Sequence, residues 1–554
     1  MQVNGQSLPV TTNLALALRA LRLPSEIRVL WVDALCINQS NVMEKNSQVG
    51  IMRDIYAQAS RTIVWLGACD DNIRKQFKKL SQKNFEEDWD DVRDMVAIRP
   101  RKATVDRPWV SRIWVVQEIA FSRIVTVVCG DDQCEWIEFT RMWETLGGND
   151  IMAPALIDRV LAMDMMRSSV LQGGRLELWD ALRRFKGFDA TRALDKVYAI
   201  AGLLQRPSDI LIDYDRDHRD VFRDLALTIM ARTRSLDVLG DALQRKQDAQ
   251  SPGMTFWIAD WSDKGSLPPI DHEPLTDATV LLSASGDAFA MPKLHLNGTI
   301  QVNVQFIARV QEMGEFMPSF VEVFAQAWPD NRLIPQFSAT IDMIALLVSR
   351  FETWFDVASR VNGPRGTPDD SYVTGQSIME AVLFTLLKTE LPEGHKSSVQ
   401  LDQFLLSLNW YLRMTFWFIK HVVLLPHLLF PILGSPFMSL VSLIFALRLL
   451  RSMDVTLGVL KSLHGKGRLI AKYTTSIGRT DNGLIGTFPG PTMHAPDRLP
   501  TIAGDSLVIL EGASMPFVIR RMGEHWRLVG EAYVHGIMYG AAFEPSQLME
   551  IFLC

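Results

Sequence analysis

Three apolar runs, RVLWVD (28–33), RTIVWLG (61–67) and RIVTVVCG (123–130), decide the fold class. Each is short and continuously hydrophobic rather than alternating, as a strand covered on both faces of a parallel sheet must be. Stretches of helical period lie between them. Leu14, Leu18 and Leu21 recur at helical spacing ahead of Pro24, and Val49, Met52, Tyr56 and Ala59 mark one helix face. Trp109, Ile113, Val116 and Ala120 form a stripe behind Pro108, a residue suited to a first helical turn. Two periods in alternation read as an α/β domain over residues 1–145, with strands 28–33, 61–67 and 123–129 pairing in parallel. Gly67 and Gly130 end the second and third runs, where a residue without Cβ permits a tight exit.

Outward from this domain, an acidic run EEDWDD (86–91) and a basic run RPRK (99–102) form a charged insertion, read as a solvated loop or helix. Residues 150–235 are mainly helical by period. Residues 254–310 lose that period, and VLLSASGDAF (280–289) and LHLNGTIQVNV (294–304) read as strands around glycine turns. Residues 311–465 turn helical and increasingly apolar. The end of the chain is rich in glycine and β-branched residues, with DSLVIL (505–510), PFVIRR (516–521) and HWRLVGEAYV (525–534) forming a meander. The expected organisation is an α/β domain (1–145), a helical extension with some strands (146–310), an apolar helical region (311–473) and a C-terminal antiparallel β module, barrel or sandwich (474–554).

Composition narrows the function. The chain has 554 residues, 57 basic and 63 acidic, for a net charge of −6. That balance excludes a dedicated nucleic-acid binder, and 48% hydrophobic residues exclude a mainly disordered chain. Five cysteines without a CxxC pair, and ten scattered histidines without an HExxH pair, give no metal-ligand spacing, so no metal and no cofactor is expected. No GxSxG elbow or GxxxxGK[ST] loop is present, and GLIGTFPG (483–490) lies in the β-rich end with no helix after it. The start, MQVNGQSLPVTT, lacks the form of a signal peptide, so a cytoplasmic chain with reduced thiols is expected. Between Lys420 and Arg448 no charged residue occurs, but Pro426, Pro431, Gly434 and Pro436 interrupt the run. A buried or re-entrant helical pair over 421–450 fits those breaks, with membrane association as the alternative.

The segments LWVDALCINQ (30–39), QVGIMRDIYAQASRTIVWLG (48–67), RPWVSRIWVVQEIA (107–120) and VVCG (127–130) carry a dense pattern. Weaker echoes follow in ALDKVYAIAGLL (193–204), FWIADWS (256–262) and the stretch 504–543. Together these resemble the heterokaryon incompatibility (HET) domain proteins of filamentous fungi. The resemblance implies a non-self recognition and cell death effector that works through protein partners and self-association. It also implies a distant likeness to TIR domains, whose doubly wound parallel sheet supports either NAD cleavage or signalling by assembly. The family's usual aromatic-rich first strand has no counterpart before Val3-Asn4-Gly5, so the resemblance implies a sheet lacking that strand or completed differently, with an inactive truncated paralogue as a further alternative.

TIR-like enzymes carry a catalytic glutamate in a Ser–x–Trp–Cys–x–x–Glu segment, and Ser111, Trp114 and Glu118 stand here in similar order. By that likeness Glu118 is the catalytic candidate, NAD the substrate, and Asp33, Asn38, Gln39 and Trp114 the nucleotide-binding candidates. Spacings of three and four put Ser111, Trp114 and Glu118 on one helix face. A helix starting near Pro108 would set Glu118 about 15 Å along it, away from the strand ends where such folds bind ligands. The competing reading pairs Glu118 with Arg112 or Arg123 as a structural ion pair. Asp33 either binds ligand at a strand end or caps the turn at 34–38. Asn38 and Gln39 either reach a nucleotide or close a turn. Cys36 and Ile37 read as core, as do Trp31, Trp65 and Trp109.

Overall fold

The computed structural model describes residues 2–3, 5–68, 108–147, 154–242, 255–262, 282–315, 353–354, 356–360, 372–373, 381, 385, 475–490 and 499–554. The charged runs at 86–91 and 99–102 and the apolar stretch 421–450 lie outside the described residues. Among those described, no helix is long and apolar enough to cross a membrane. Internal packing divides the chain into two units, residues 1–228 with 261–264, and residues 229–260 with 265–554.

The first unit opens with a short antiparallel pair, β1 (Gln2–Val3) and β2 (Gln6–Ser7). Helix α1 (Thr12–Ala20) starts where the Thr11 hydroxyl accepts the Leu14 N–H at 3.2 Å. A single turn, α2 (Asp33–Cys36), precedes α3 (Val42–Gln58), which Asn41 caps by accepting from the Glu44 N–H at 3.1 Å. There follow β3 (Thr62–Trp65), α4 (Pro108–Ser111), α5 (Trp114–Phe121), β4 (Val125–Cys129) and β5 (Asp132–Glu135). The helices α6 (Trp136–Gly147), α7 (Pro154–Leu171), α8 (Leu178–Arg184), α9 (Asp195–Tyr198) and α10 (His218–Thr233) come next.

The sheet is mixed. β3 and β4 are parallel, from Thr62 opposite Val125 to Trp65 opposite Val128, and β4 and β5 form an antiparallel hairpin. Every residue of β4 is buried, which explains its unbroken apolar character. Gly67 and Gly130 both take positive φ, 99° and 61°, and the Gly130 N–H donates to Gly67 O at 2.8 Å. The two strand exits are therefore tied together through conformations that favour glycine.

The run 28–33 is not a strand. It carries no ladder, Val29 is 92% exposed, and Asp33 already begins α2. Hydrophobicity alone does not make a strand; a neighbouring edge must take up the backbone groups. Here the segment is held by side chains. The Trp31 ring meets the Tyr56 ring edge-on at 5.8 Å, and the Arg28 guanidinium donates to Leu21 O at 2.6 Å.

The single helix expected over 108–120 is two helices. Between α4 and α5, the Asp189 N–H donates to Ser111 O at 2.5 Å and Asp189 O accepts from the Ile113 N–H at 2.8 Å. Backbone groups taken by a strand-like bridge between Arg112 and Asp189 cannot continue a helix, so the chain restarts at Trp114. α5 buries Val115, Val116, Ile119 and Ala120 completely. At its far end Arg167 of α7 donates to the carbonyls of Ile119, Ser122 and Arg123, a cation on the orphan acceptors of a helix C-terminus.

The second unit contains α11 (Leu239–Ala242), β6 (Lys293–Leu294) and the long β7 (Ile300–Met313). It continues with β8 (Thr475–Thr480), β9 (Ile485–Pro489), β10 (Ser506–Leu510), β11 (Phe517–Met522), β12 (His525–Glu531), β13 (Tyr533–Val534) and β14 (Met549–Leu553). The expected meander is present as β10, β11 and β12, paired antiparallel. β7 pairs with both β14 and β10, so the pairings β10-β11-β12-β14-β7 close into a ring. Closure removes exposed sheet edges. Leu507, Val518 and Val529 fill it together with Val310 and Phe488.

LHLNGTIQVNV supplies β6, its turn and the start of β7, whereas residues 282–289 of VLLSASGDAF form turns rather than a strand. Their backbone groups bond to loop carbonyls, Ser283 N–H to Met538 O and Ser285 N–H to Ala513 O, and so leave none for a ladder. GLIGTFPG contributes β9.

A buried ion pair fixes one end of the ring. Arg520 donates to Asp505 through Nε at 2.7 Å and Nη2 at 2.8 Å, and the Ile502 N–H donates to the same carboxylate at 2.9 Å. Removing one partner of such a pair strands the other charge. Arg520→Met is expected to lower the unfolding free energy by about 3 kcal/mol in urea titration. A loss within about 0.5 kcal/mol would mean that the pair is solvated.

Candidate functional site

The break before Trp114 resets the geometry of α5. Glu118 now lies four residues into its helix, about 6 Å from the start. A helix between parallel strands begins at their carboxyl ends, so Glu118 moves towards the edge where α/β proteins hold ligands.

Asp33, Tyr56 and Arg112 share electrostatic contact with Glu118. Each comes from a different place: Asp33 from the first residue of α2, Tyr56 from the last turn of α3, Arg112 from the residue between α4 and α5. Burial raises the Glu118 carboxyl from an ordinary 4.5 to about 7; Arg112 opposes the rise and Asp33 adds to it. Burial likewise raises the Tyr56 phenol, with the charges of Glu118 and Asp33 acting in the same direction and Arg112 against, so it stays a proton donor. Asp33 Oδ1 accepts the Ala34 N–H at 2.7 Å, so the carboxylate also stabilises its own turn.

The expected structural ion pair is not formed. Among the described residues Glu118 makes no salt bridge with Arg112 or Arg123, and Arg123 is exposed. The backbone of Glu118, by contrast, is fixed: its carbonyl accepts the Ser122 hydroxyl at 2.5 Å, and that hydroxyl lies 2.5 Å from Thr62 Oγ1 on β3. Gly202 packs nearby, where an added Cβ would come within 3.2 Å of both Arg53 Cβ and Gln117 Oε1. The Glu118 backbone is thus held in place while, among the described residues, Arg112 acts on its carboxyl by charge without forming a salt bridge.

The remaining sequence candidates divide. Trp114 is half-buried at the start of α5, one turn before Glu118. Asn38 closes a turn: its Oδ1 accepts the Ser40 N–H at 3.1 Å and its own N–H donates to Glu44 Oε1 at 2.8 Å. Gln39 is exposed in that turn, and among the described residues no hydrogen bond links Asn38 or Gln39 to the carboxylates. Ile37 is core, but Cys36 is an exposed free thiol. Trp31, Trp65 and Trp109 are half-buried rather than core. Among the described residues no cluster of His, Cys, Asp or Glu is arranged to hold a metal ion.

Residues 1–118 match the family described as heterokaryon incompatibility protein (HET). This first segment is similar to HET domains. The matched segment contains Asp33, Tyr56, Arg112 and Glu118. A curated relative, heterokaryon incompatibility protein 6, OR allele, of Neurospora crassa, is 26% identical over 311 residues, which is 42% of this chain and 45% of the relative. The chain therefore spans less than half the length of that relative. No solved structure matches it.

The raised carboxyl of the HET domain has a signed consequence for stability. A folded pKa above the unfolded one gives stability that is complete below about pH 4.5 and lost as pH rises through about 7. Glu118→Gln removes the ionisation, so the variant is expected to match the parent at pH 4 and to exceed it by about 1–3 kcal/mol at pH 8 in urea unfolding. Parallel curves across that range would show a solvated carboxyl.

Proposed function

We propose that the chain is a heterokaryon incompatibility and cell death effector whose HET domain cleaves a nicotinamide dinucleotide, with Glu118 as the acting carboxyl. The observation that supports this is the convergence of Glu118, Asp33, Tyr56 and Arg112 at a helix start, with the Glu118 carboxyl raised to about 7 by burial and, among the described residues, in no salt bridge. Cleavage breaks the bond between ribose C1′ and the pyridinium nitrogen, and the bonding pair leaves with nicotinamide. The sugar develops oxocarbenium character, which a carboxylate stabilises. Water then adds to C1′ and gives its proton to the second carboxylate. Glu118 and Asp33 supply two carboxyls, and burial together with the Asp33 charge raises the first against the opposing charge of Arg112. Arg112 and the Tyr56 hydroxyl are donors suited to ribose or phosphate oxygens.

A second reading, a self-associating signalling module without chemistry, draws on a different observation. Ile27 and Val29 are 93% and 92% exposed, and among the described residues β3 is paired on one edge alone. Exposed apolar side chains and an open strand edge each favour association with another copy.

Nicotinamide release by the full chain separates the two. The parent is expected to release it with a pH profile that bends near 7, and Glu118→Gln to lower kcat by about 100-fold or more. Absence of release by the parent, together with cell killing undiminished in Glu118→Gln, would overturn the enzymatic reading.

A further inference from the structure

A second cluster in the first unit has a surplus of positive charge that the carboxylate site does not use. Lys45 stands one turn into α3, half-buried, and its Nζ lies 3.7 Å from the centre of the Tyr214 ring. The Arg192 guanidinium lies 5.6 Å from the same ring. Tyr214 is itself fixed three ways. Its hydroxyl donates to Asp195 Oδ1 at 2.6 Å, its N–H donates to Asn46 Oδ1 at 3.1 Å, and its ring meets Tyr198 edge-on at 5.0 Å.

Three effects oppose a charged Lys45. Burial lowers its pKa, the Arg192 charge lowers it further, and the start of a helix disfavours a cation. Asp195 acts the other way, but its carboxylate is already engaged by the Tyr214 hydroxyl and, at 3.4 Å, by the Arg192 N–H. Among the described residues neither Lys45 nor Arg192 forms a salt bridge. Cation–π contact with one ring compensates in part, at about 0.5–2 kcal/mol. Among the described residues, two cations over one buried ring therefore share a single neighbouring carboxylate, that of Asp195.

We infer that Lys45 and Arg192 form a binding site for a phosphate group beside Tyr214. A compact oxyanion matches both donors, since the guanidinium fork donates to two phosphate oxygens and the lysine contributes a point charge. Arg192 is exposed and Lys45 half-buried, so an ion from solvent reaches both. The Tyr214 ring is covered by the cations and is not free to stack a base. The place is distinct from the carboxylate cluster: Lys45 and Tyr56 are eleven residues apart on α3, about 16 Å along the helix.

The test is calorimetric titration of the full chain at pH 7 and low salt, first with inorganic phosphate and then with ADP. Parallel titrations use Lys45→Gln, Arg192→Gln and Arg192→Lys. Phosphate is expected to bind the parent and raise its Tm, because a ligand of the folded state stabilises it. Either glutamine variant is expected to weaken binding by about tenfold or more, and Arg192→Lys to restore part of it. If ADP alone binds, and the same two variants weaken it, the phosphate belongs to a nucleotide and the site stands. Variants that bind both probes as the parent does, or a parent that binds neither, would overturn it. So would glutamine variants that lose stability while phosphate leaves the parent's Tm unmoved, since the cations would then only clamp the ring.

Discussion

Two backbone hydrogen bonds to Asp189 set the geometry on which the candidate site depends. They interrupt what the sequence would otherwise form as one helix and force a restart at Trp114. The interruption shortens the path from the helix start to Glu118 from about 15 Å to about 6 Å. It also leaves Arg112 outside any helix, where its charge reaches both Glu118 and Tyr56. The gain is position, and the cost is a pair of helical hydrogen bonds that Asp189 replaces in kind.

Around that break the HET domain is pinned by groups that leave the carboxyl itself alone. Arg167 holds the carbonyls at the end of α5, Ser122 and Thr62 tie the helix to β3, and the tight approach at Gly202 seats α3 against α5. A carboxyl that is desolvated but not ion-paired is costly to ionise, and such groups recur at reactive sites because structural carboxylates are normally paired. In the second unit Asp505 shows the ordinary solution, a buried carboxylate bonded to an arginine fork and a backbone N–H. The contrast between Asp505 and Glu118 is the physical basis for separating support from chemistry.

Much of the fold was legible. The runs at 61–67 and 123–130 became β3 and β4 in parallel because burial on both faces leaves a plain hydrophobic signature. The meander of 505–534 was marked by its β-branched runs and its turn at Met522-Gly523-Glu524. The run 28–33 misled because its composition is strand-like while its backbone has no neighbouring edge, and composition does not record neighbours. Ring closure through β7 was hidden for a similar reason, since β7 is far in sequence from its partners β10 and β14. At the site, Glu118 and Asp33 were visible as motif residues and do share a neighbourhood. Tyr56 was visible merely as part of a helical stripe, and the helix break left no local signal because its cause lies at Asp189.

Glu118 is a desolvated carboxyl with no salt bridge among the described residues, and the most direct measurement of it is its own titration. With glutamate carboxyl carbons labelled, the resonance missing from Glu118→Gln is followed by NMR between pH 4 and pH 9. The expected midpoint is about 7, displaced upward from an ordinary 4.5. A midpoint at or below 4.5 would place the carboxylate in water or in an ion pair and contradict the account.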